Sequence, residues 1–183
     1  MELVLDGVVT AVSLTVVVQY TWALRAHFSS KKVPSGTVLI SIVVLATTAI
    51  FLALLWLQSQ PWLVQIVGVA IELAGLGLFW AAIKASRAAR LRLAFDTENP
   101  DSIVTDGPYR YLRHPFYTSY LIFWIGWGIA VWSAWALPPL AALVAIYAVA
   151  ARGEERKFSN TPMAEAYSAY KRRAGFFWPR ISG

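Results

Sequence analysis

The sequence contains no cysteine and only two histidines, His27 and His114. Disulfide scaffolds, thiolate zinc sites and iron–sulfur clusters are therefore excluded, and with no histidine or cysteine pair at ligand spacing no metal site is expected. Charge is scarce as well: 14% of the 183 residues are Asp, Glu, Lys or Arg, against about 25% in ordinary soluble domains. In their place stand apolar residues, 58% of the chain, with a mean hydropathy of +0.55. Nine tryptophans, eight tyrosines and nine phenylalanines are more ring surface than one small core can hide, whereas bilayer interfaces favour aromatic rings. A water-soluble single domain is excluded on these grounds. Sixteen Lys and Arg against ten acids leave a net charge of +6, and what that excess means depends on where it lies.

A transmembrane helix needs about 20 mostly apolar residues. Three such windows run from about Leu3 to Leu24, Ser35 to Leu57 and Pro61 to Ile83. A fourth tract, Tyr117 to Ala151, is too long for one crossing, and Pro138-Pro139 divides it into a hairpin turning near Ser133 to Pro139, with a short second arm. All sixteen basic residues fall in three segments: Arg25 to Lys32, Lys84 to Arg113, and Arg152 to Arg180. With five helices these segments share one side, which by the positive-inside rule puts the N-terminus outside and the C-terminus in the cytoplasm. The basic excess is thus topological, matched to membrane lipids, and no nucleic-acid partner is expected. The first helix, preceded by Glu2 and carrying Asp6, lacks the positive start of a secretory signal and reads as a retained anchor. The expectation is an all-α integral membrane protein with about five transmembrane helices, the last two a hairpin, and a short C-terminal cytoplasmic helix. Residues 1–83 form its three N-terminal helices, and any chemistry is expected in residues 84–183, whose cytoplasmic stretches are the richest in polar and titratable side chains.

Two polar constellations stand out. Gly107-Pro108 signals a turn, after which Tyr109, Arg110, Tyr111, Arg113, His114 and Tyr117 crowd the start of a helix whose first turn is set by Pro115. A histidine and an arginine beside aromatic rings at a helix start can bind a carboxylate and stack on a base; the same residue types also serve as interfacial anchors. Glu154-Glu155 follows the fifth helix, where the helix dipole opposes acids. Local pairing with Arg152, Arg156 and Lys157 is one compensation; reception of a ligand's ammonium or ribose hydroxyls is the other.

Gly-Pro-Tyr-Arg-Tyr-Leu-Arg-His-Pro-Phe-Tyr117, a helical hairpin, Glu154-Glu155, Tyr167-Ser-Ala-Tyr170 and a terminal Phe-Trp-Pro179 together resemble the membrane-embedded methyltransferases of the isoprenylcysteine carboxyl methyltransferase and phospholipid methyltransferase-like superfamily. The resemblance runs from about Asp101 to Pro179. It implies an S-adenosylmethionine site contacted by Ser102, Ile103, Val104, Tyr109, His114, Pro115, Phe116, Tyr117 and Glu154, with Arg113, Glu155 and Arg152 as catalytic candidates. His114 or Arg113 would meet the carboxylate of that molecule, Glu154 its ammonium, and tyrosine rings its adenine. The implied acceptor is small and hydrophobic or lipid-like, a carboxylate or an amine, entering from the bilayer. Ser119 stands where these families often carry glycine. Ala150 stands where isoprenylcysteine enzymes have an acceptor-binding arginine, leaving Arg152 as the nearest substitute, and Asn160-Thr-Pro-Met163 replaces their Phe-Gly; these departures argue against a prenylcysteine acceptor.

Sterol reductases are similar in an Arg-His-Pro-x-Tyr stretch before a final hairpin, which makes a nicotinamide-dependent membrane reductase the rival reading. A non-enzymatic membrane subunit is a third, with Glu72 as its working residue. An acid at the centre of a membrane helix is a functional candidate by default, or else a neutral carboxyl hydrogen-bonded to a facing helix. Met163, Tyr167, Tyr170 and Ala174 fall at helical spacing after an Asn160-Thr161-Pro162 cap, with Phe176, Phe177 and Trp178 expected to rest at the interface.

Overall fold

The computed structural model describes residues 2–27, 35–87, 103–158 and 161–181. Asp101, Ser102, Asn160, Lys31, Lys32, Arg90 and Arg92 lie outside the described residues. The elements are α1 (Glu2–His27), α2 (Ser35–Leu57), α3 (Trp62–Ser86), α4 (Pro115–Val131), α5 (Leu137–Phe158) and α6 (Ala164–Arg173), with short 3-10 helices at Gly107–Arg110 and Ala134–Ala136. The protein is an all-α, multi-pass membrane protein: α1, α2, α3 and α5 are long and apolar enough to cross a bilayer, and α4 is a shorter apolar helix.

The hairpin turns earlier than its prolines suggest. Trp132, in the left-handed region at φ 48°, ends α4, and its N–H donates to the carbonyls of Gly128 and Ile129. Pro138 and Pro139 sit inside the first turn of α5, where a helix has no use for their missing N–H groups. The second arm is therefore not the short one. It runs 22 residues and carries Glu154 and Glu155 on the helix itself, whereas α4 has 17 residues. Burial accounts for the composition of α4. Thirteen of its residues are buried, so it is apolar on every side because protein surrounds it.

Helices α3 and α4 run antiparallel in backbone contact. A Cβ at Gly68 would lie 2.6 Å from the Ala130 Cβ and the Gly126 carbonyl, and one at Gly75 2.9 Å from the Ser119 carbonyl. Small residues at such crossings let membrane helices approach closely. The whole buried seam of α3 follows a heptad. Gln65, Gly68, Glu72, Gly75, Phe79, Ala82 and Ser86 are buried in steps of three and four, as are Val9, Ser13, Val16, Tyr20 and Ala23 on α1. The layers meet in parallel. Gln65 Nε2 donates to Asp6 Oδ1 at 2.5 Å, Ser13 Oγ donates to Glu72 Oε2 at 2.8 Å, and the Tyr20 and Phe79 rings lie 4.5 Å apart. Polar groups within an apolar seam fix its register. Glu72 is thus an acid hydrogen-bonded to a facing helix.

Candidate functional site

The site grows from the turn before α4. Gly107 takes a φ of +56°, where a Cβ would lie 2.9 Å from that of Ala85, and Pro108 opens the 3-10 helix that follows. The chain after α6 then joins this segment edge to edge. Arg113 N–H donates to the Gly175 carbonyl at 2.8 Å, and the N–H groups of Gly175 and Arg180 donate to the Tyr111 carbonyl at 2.9 and 3.1 Å. The Tyr170 hydroxyl, from α6, donates to the carbonyls of Tyr109 (2.7 Å) and Leu112 (3.2 Å). These bonds make the C-terminal segment a strap across the start of α4. A side chain at Gly175 would collide with the Trp178 carbonyl, so the strap needs glycine there.

Under the strap the two constellations meet. Arg113 Nε lies 2.7 Å from Glu155 Oε1, His114 Nε2 3.2 Å from the same oxygen, and Lys171 Nζ 2.8 Å from Glu155 Oε2. The Tyr117 hydroxyl donates to Glu154 Oε1 at 2.5 Å, and His114 Nδ1 stands 3.7 Å from Glu154 Oε2. The acids are thus compensated by Arg113, His114 and Lys171 from distant segments, not by Arg152, Arg156 and Lys157 beside them. Arg113 also donates to the carbonyls of Lys171 and Ala174, which ties the strap to the acids. Burial alone would push the His114 imidazole down, but hydrogen bonds to Glu154 and Glu155 outweigh it and raise its pKa above the usual histidine value. Burial holds the Tyr109, Tyr167 and Tyr170 phenols up, so they remain neutral donors.

Aromatic rings line the remaining walls. The Phe176 ring centre lies 4.9 Å from that of His114, with the Arg113 and Arg152 guanidinium carbons 5.5 and 5.9 Å from it. Tyr147 on α5 faces Tyr117 at 5.7 Å and Tyr120 at 5.6 Å. Of the three terminal aromatics placed at the interface, only Trp178 is exposed; Phe176 and Phe177 pack against the core.

Of the residues singled out in the sequence, His114, Tyr117 and Glu154 come together directly, and Arg113 with Glu155 forms the adjoining pair. Tyr109 is buried and supplies its carbonyl to Tyr170; Pro115 and Phe116 are buried in the first turn of α4, Phe116 against Phe79. Ile103 packs on the Tyr167, Tyr170 and Ala174 cluster and Val104 on the main core. Arg152 is exposed, touches the site only across Phe176, and has no carboxylate partner among the described residues. Lys171, Tyr147 and Gly175 emerge from the structure, and Tyr170 and Phe176, read from the sequence as packing and interface residues, join the site there. Tyr147 alone had a signal, lying seven residues and two helical turns before Glu154. Among the described residues no group of three His, Asp or Glu side chains is placed to hold a metal ion.

A hairpin of apolar helices thus brings the paired acids of α5 against an Arg-His-Pro-Phe-Tyr helix start. The chain belongs to the phospholipid methyltransferase family: residues 63–169, from the start of α3 into α6, match it, and that family falls within the isoprenylcysteine carboxyl methyltransferase-like superfamily. The chain is also similar to the cobalt-zinc-cadmium resistance protein CzcN of Cupriavidus metallidurans, 29% identical over 123 residues, which are 67% of this chain and 52% of that protein. The chain thus spans about half the length of this curated relative.

Proposed function

We propose that the protein is an S-adenosylmethionine-dependent methyltransferase working at the cytoplasmic face of the membrane on a small hydrophobic or lipid-like acceptor. The observation that supports this most is the convergence of His114 and Tyr117, from the start of α4, on Glu154 near the end of α5. A raised imidazole and a carboxylate within ion-pair reach can exchange their mutual contact for the two ends of a zwitterion, the ammonium going to Glu154 and the carboxylate to His114. The donor set therefore fits S-adenosylmethionine, which supplies a methyl group activated on a sulfonium. The rings of Tyr117 and Tyr147 offer π-faces to the cationic and adenine parts.

Methyl transfer is a displacement, and its barrier falls through alignment and exclusion of water. In this reading Arg113 and Glu155 are positioning residues, because their shared contacts hold His114 and the strap in place. Arg152, exposed and without a carboxylate partner among the described residues, faces the acceptor. The positive-inside rule applied to the basic segments supports a cytoplasmic site.

Calorimetry with S-adenosylhomocysteine on detergent-purified protein tests the reading. Hydrogen bonds to charged groups are worth about 1.5–3 kcal/mol, so Glu154→Ala and His114→Ala are each expected to weaken affinity by about tenfold or more. Unchanged affinity in both variants, or binding of NADPH in place of S-adenosylhomocysteine, would refute it. Transfer of labelled methyl groups into extracted lipids then identifies the acceptor class.

A further inference from the structure

Beside the strap lies a groove of about 320 Å³ lined by Leu78, Pro108, Tyr111, Leu112, Pro179 and Ile181, none of them a residue of the acid cluster. Its walls are apolar, and its volume falls at the small end of ligand sites, about 300–1,000 Å³. Leu78 belongs to the membrane-crossing helix α3, eight residues before that helix ends at Ser86, so the groove reaches about 12 Å down from the basic end of the bundle. Its other walls come from the turn before α4 and the end of the strap. The groove therefore straddles the depth at which acyl chains give way to headgroups.

Two features point to the occupant. The groove's upper edge is strongly apolar and yet exposed: Ile181 is 85% and neighbouring Trp178 84% accessible, which in a membrane protein marks lipid contact. The same edge is cationic. Arg110 sits over the Tyr111 ring at 5.9 Å, and Arg180, between the lining residues Pro179 and Ile181, donates to the Arg172 carbonyl at 2.7 Å. Neither guanidinium has a carboxylate partner among the described residues, and residues 171–183 include no Asp or Glu. An apolar slot walled in part by α3 and rimmed by arginines without a carboxylate partner among the described residues complements one molecule above others.

We propose that this groove is a binding site for an anionic phospholipid of the surrounding bilayer, one acyl chain lying against Leu78 and Leu112 and the phosphate at Arg110 and Arg180. The site is separate from the His114 and Glu154 cluster, but Tyr111 and Leu112 form its wall while their carbonyls hold the strap. A bound lipid thus buttresses the strap from its outer face.

Native mass spectrometry of the full chain, released from mild detergent after equilibration with either phosphatidylglycerol or phosphatidylcholine, reads the site without reference to methyl transfer. One phosphatidylglycerol is expected to be retained at least tenfold more strongly than phosphatidylcholine. Arg110→Gln combined with Arg180→Gln is expected to abolish that preference. Leu78→Trp, which fills the groove and leaves every charge in place, is expected to abolish retention of the tightly held lipid. Equal retention of the two lipids, or wild-type retention by either variant at an unchanged melting temperature, overturns the proposal. So does a wild-type dimer that Leu78→Trp converts to monomer, since a second copy then covers the groove.

Discussion

Replacing Glu155 by glutamine removes one negative charge from the centre of the site while keeping the volume of the side chain. Its carboxylate is shared by Arg113 at 2.7 Å, Lys171 at 2.8 Å and His114 at 3.2 Å. The side chains of Arg113 and Glu155 are only 12% and 10% accessible, and removing one partner of a buried pair leaves the other charge without compensation, at a cost of about 3–5 kcal/mol. Lys171 is 44% accessible and adds only about 0–1 kcal/mol, because solvent screens it. Arg113 keeps the carbonyls of Lys171 and Ala174, which places the loss at the low end, about 3 kcal/mol. For a chain of this size each kcal/mol moves a melting midpoint by about 2–4 °C, so Glu155→Gln is expected to melt about 6–12 °C below wild type in detergent. A double-mutant cycle with Arg113→Gln separates the pair from its surroundings: the double variant is expected to lose less than the sum of the singles. Additivity within about 0.5 kcal/mol, or a Glu155→Gln protein that melts with wild type, would refute the reasoning.

His114 makes stability depend on pH with a definite sign. Because its folded pKa is raised, the stabilisation from its protonation is complete below the ordinary value of about 6.5 and is lost as pH rises through the folded value. The melting difference between wild type and His114→Gln is expected to shrink with rising pH from that point; a difference that widens contradicts the assignment. Gly175→Ala forces a Cβ against the Trp178 carbonyl and is expected to cost about 1–3 kcal/mol, with faster tryptic cleavage at Arg172 and Arg173 as the strap lifts; unaltered digestion would show the strap to be held elsewhere. Glu72→Gln keeps an acceptor for the Ser13 hydroxyl and is expected to change yield and melting little, within about 1 kcal/mol. A collapse in yield would show that Glu72 works as a charge.

The helices were legible because hydrophobic run length is a physical ruler, and α2, expected at Ser35 to Leu57, is found at those bounds. The hairpin's turn, expected near Ser133 to Pro139, was set a few residues too late at its far end because proline carries two opposite signals, a break in mid-helix and a favoured first turn, and Pro138 and Pro139 serve the second. Glu154 and Glu155 were recognised as needing compensation, but neighbouring charges on the same helix point elsewhere. The actual partners lie about forty residues back, at Arg113 and His114, and forward at Lys171. Phe176 was assigned to the interface because nothing in its composition separates a ring that packs on His114 from one that faces lipid. The seven-residue spacing of Asp6, Ser13 and Tyr20 was visible in principle. Only the structure shows that α3 answers it with Gln65, Glu72 and Phe79 at one constant offset.

What assembles the site is the parity of the hairpin's arms. From His114 at the N-cap of α4 to Val131, where that helix ends, is 17 steps, about 25 Å, and the same number leads from Leu137, where α5 begins, to Glu154. A chain leaving the polar end through α4 therefore regains that height at Glu154, whatever apolar side chains lie between. Phase completes the match. Tyr147 and Glu154, seven apart, share a face of α5 to within about 20°, and that face meets Tyr117 and Tyr120. Glu155, about 100° further round, is turned toward Arg113 and α6. Two adjacent acids thus take different work, Glu154 beside the tyrosines and Glu155 in the clasp that closes the strap. A single inserted residue in either arm would rotate both away from their partners without altering any residue of the site.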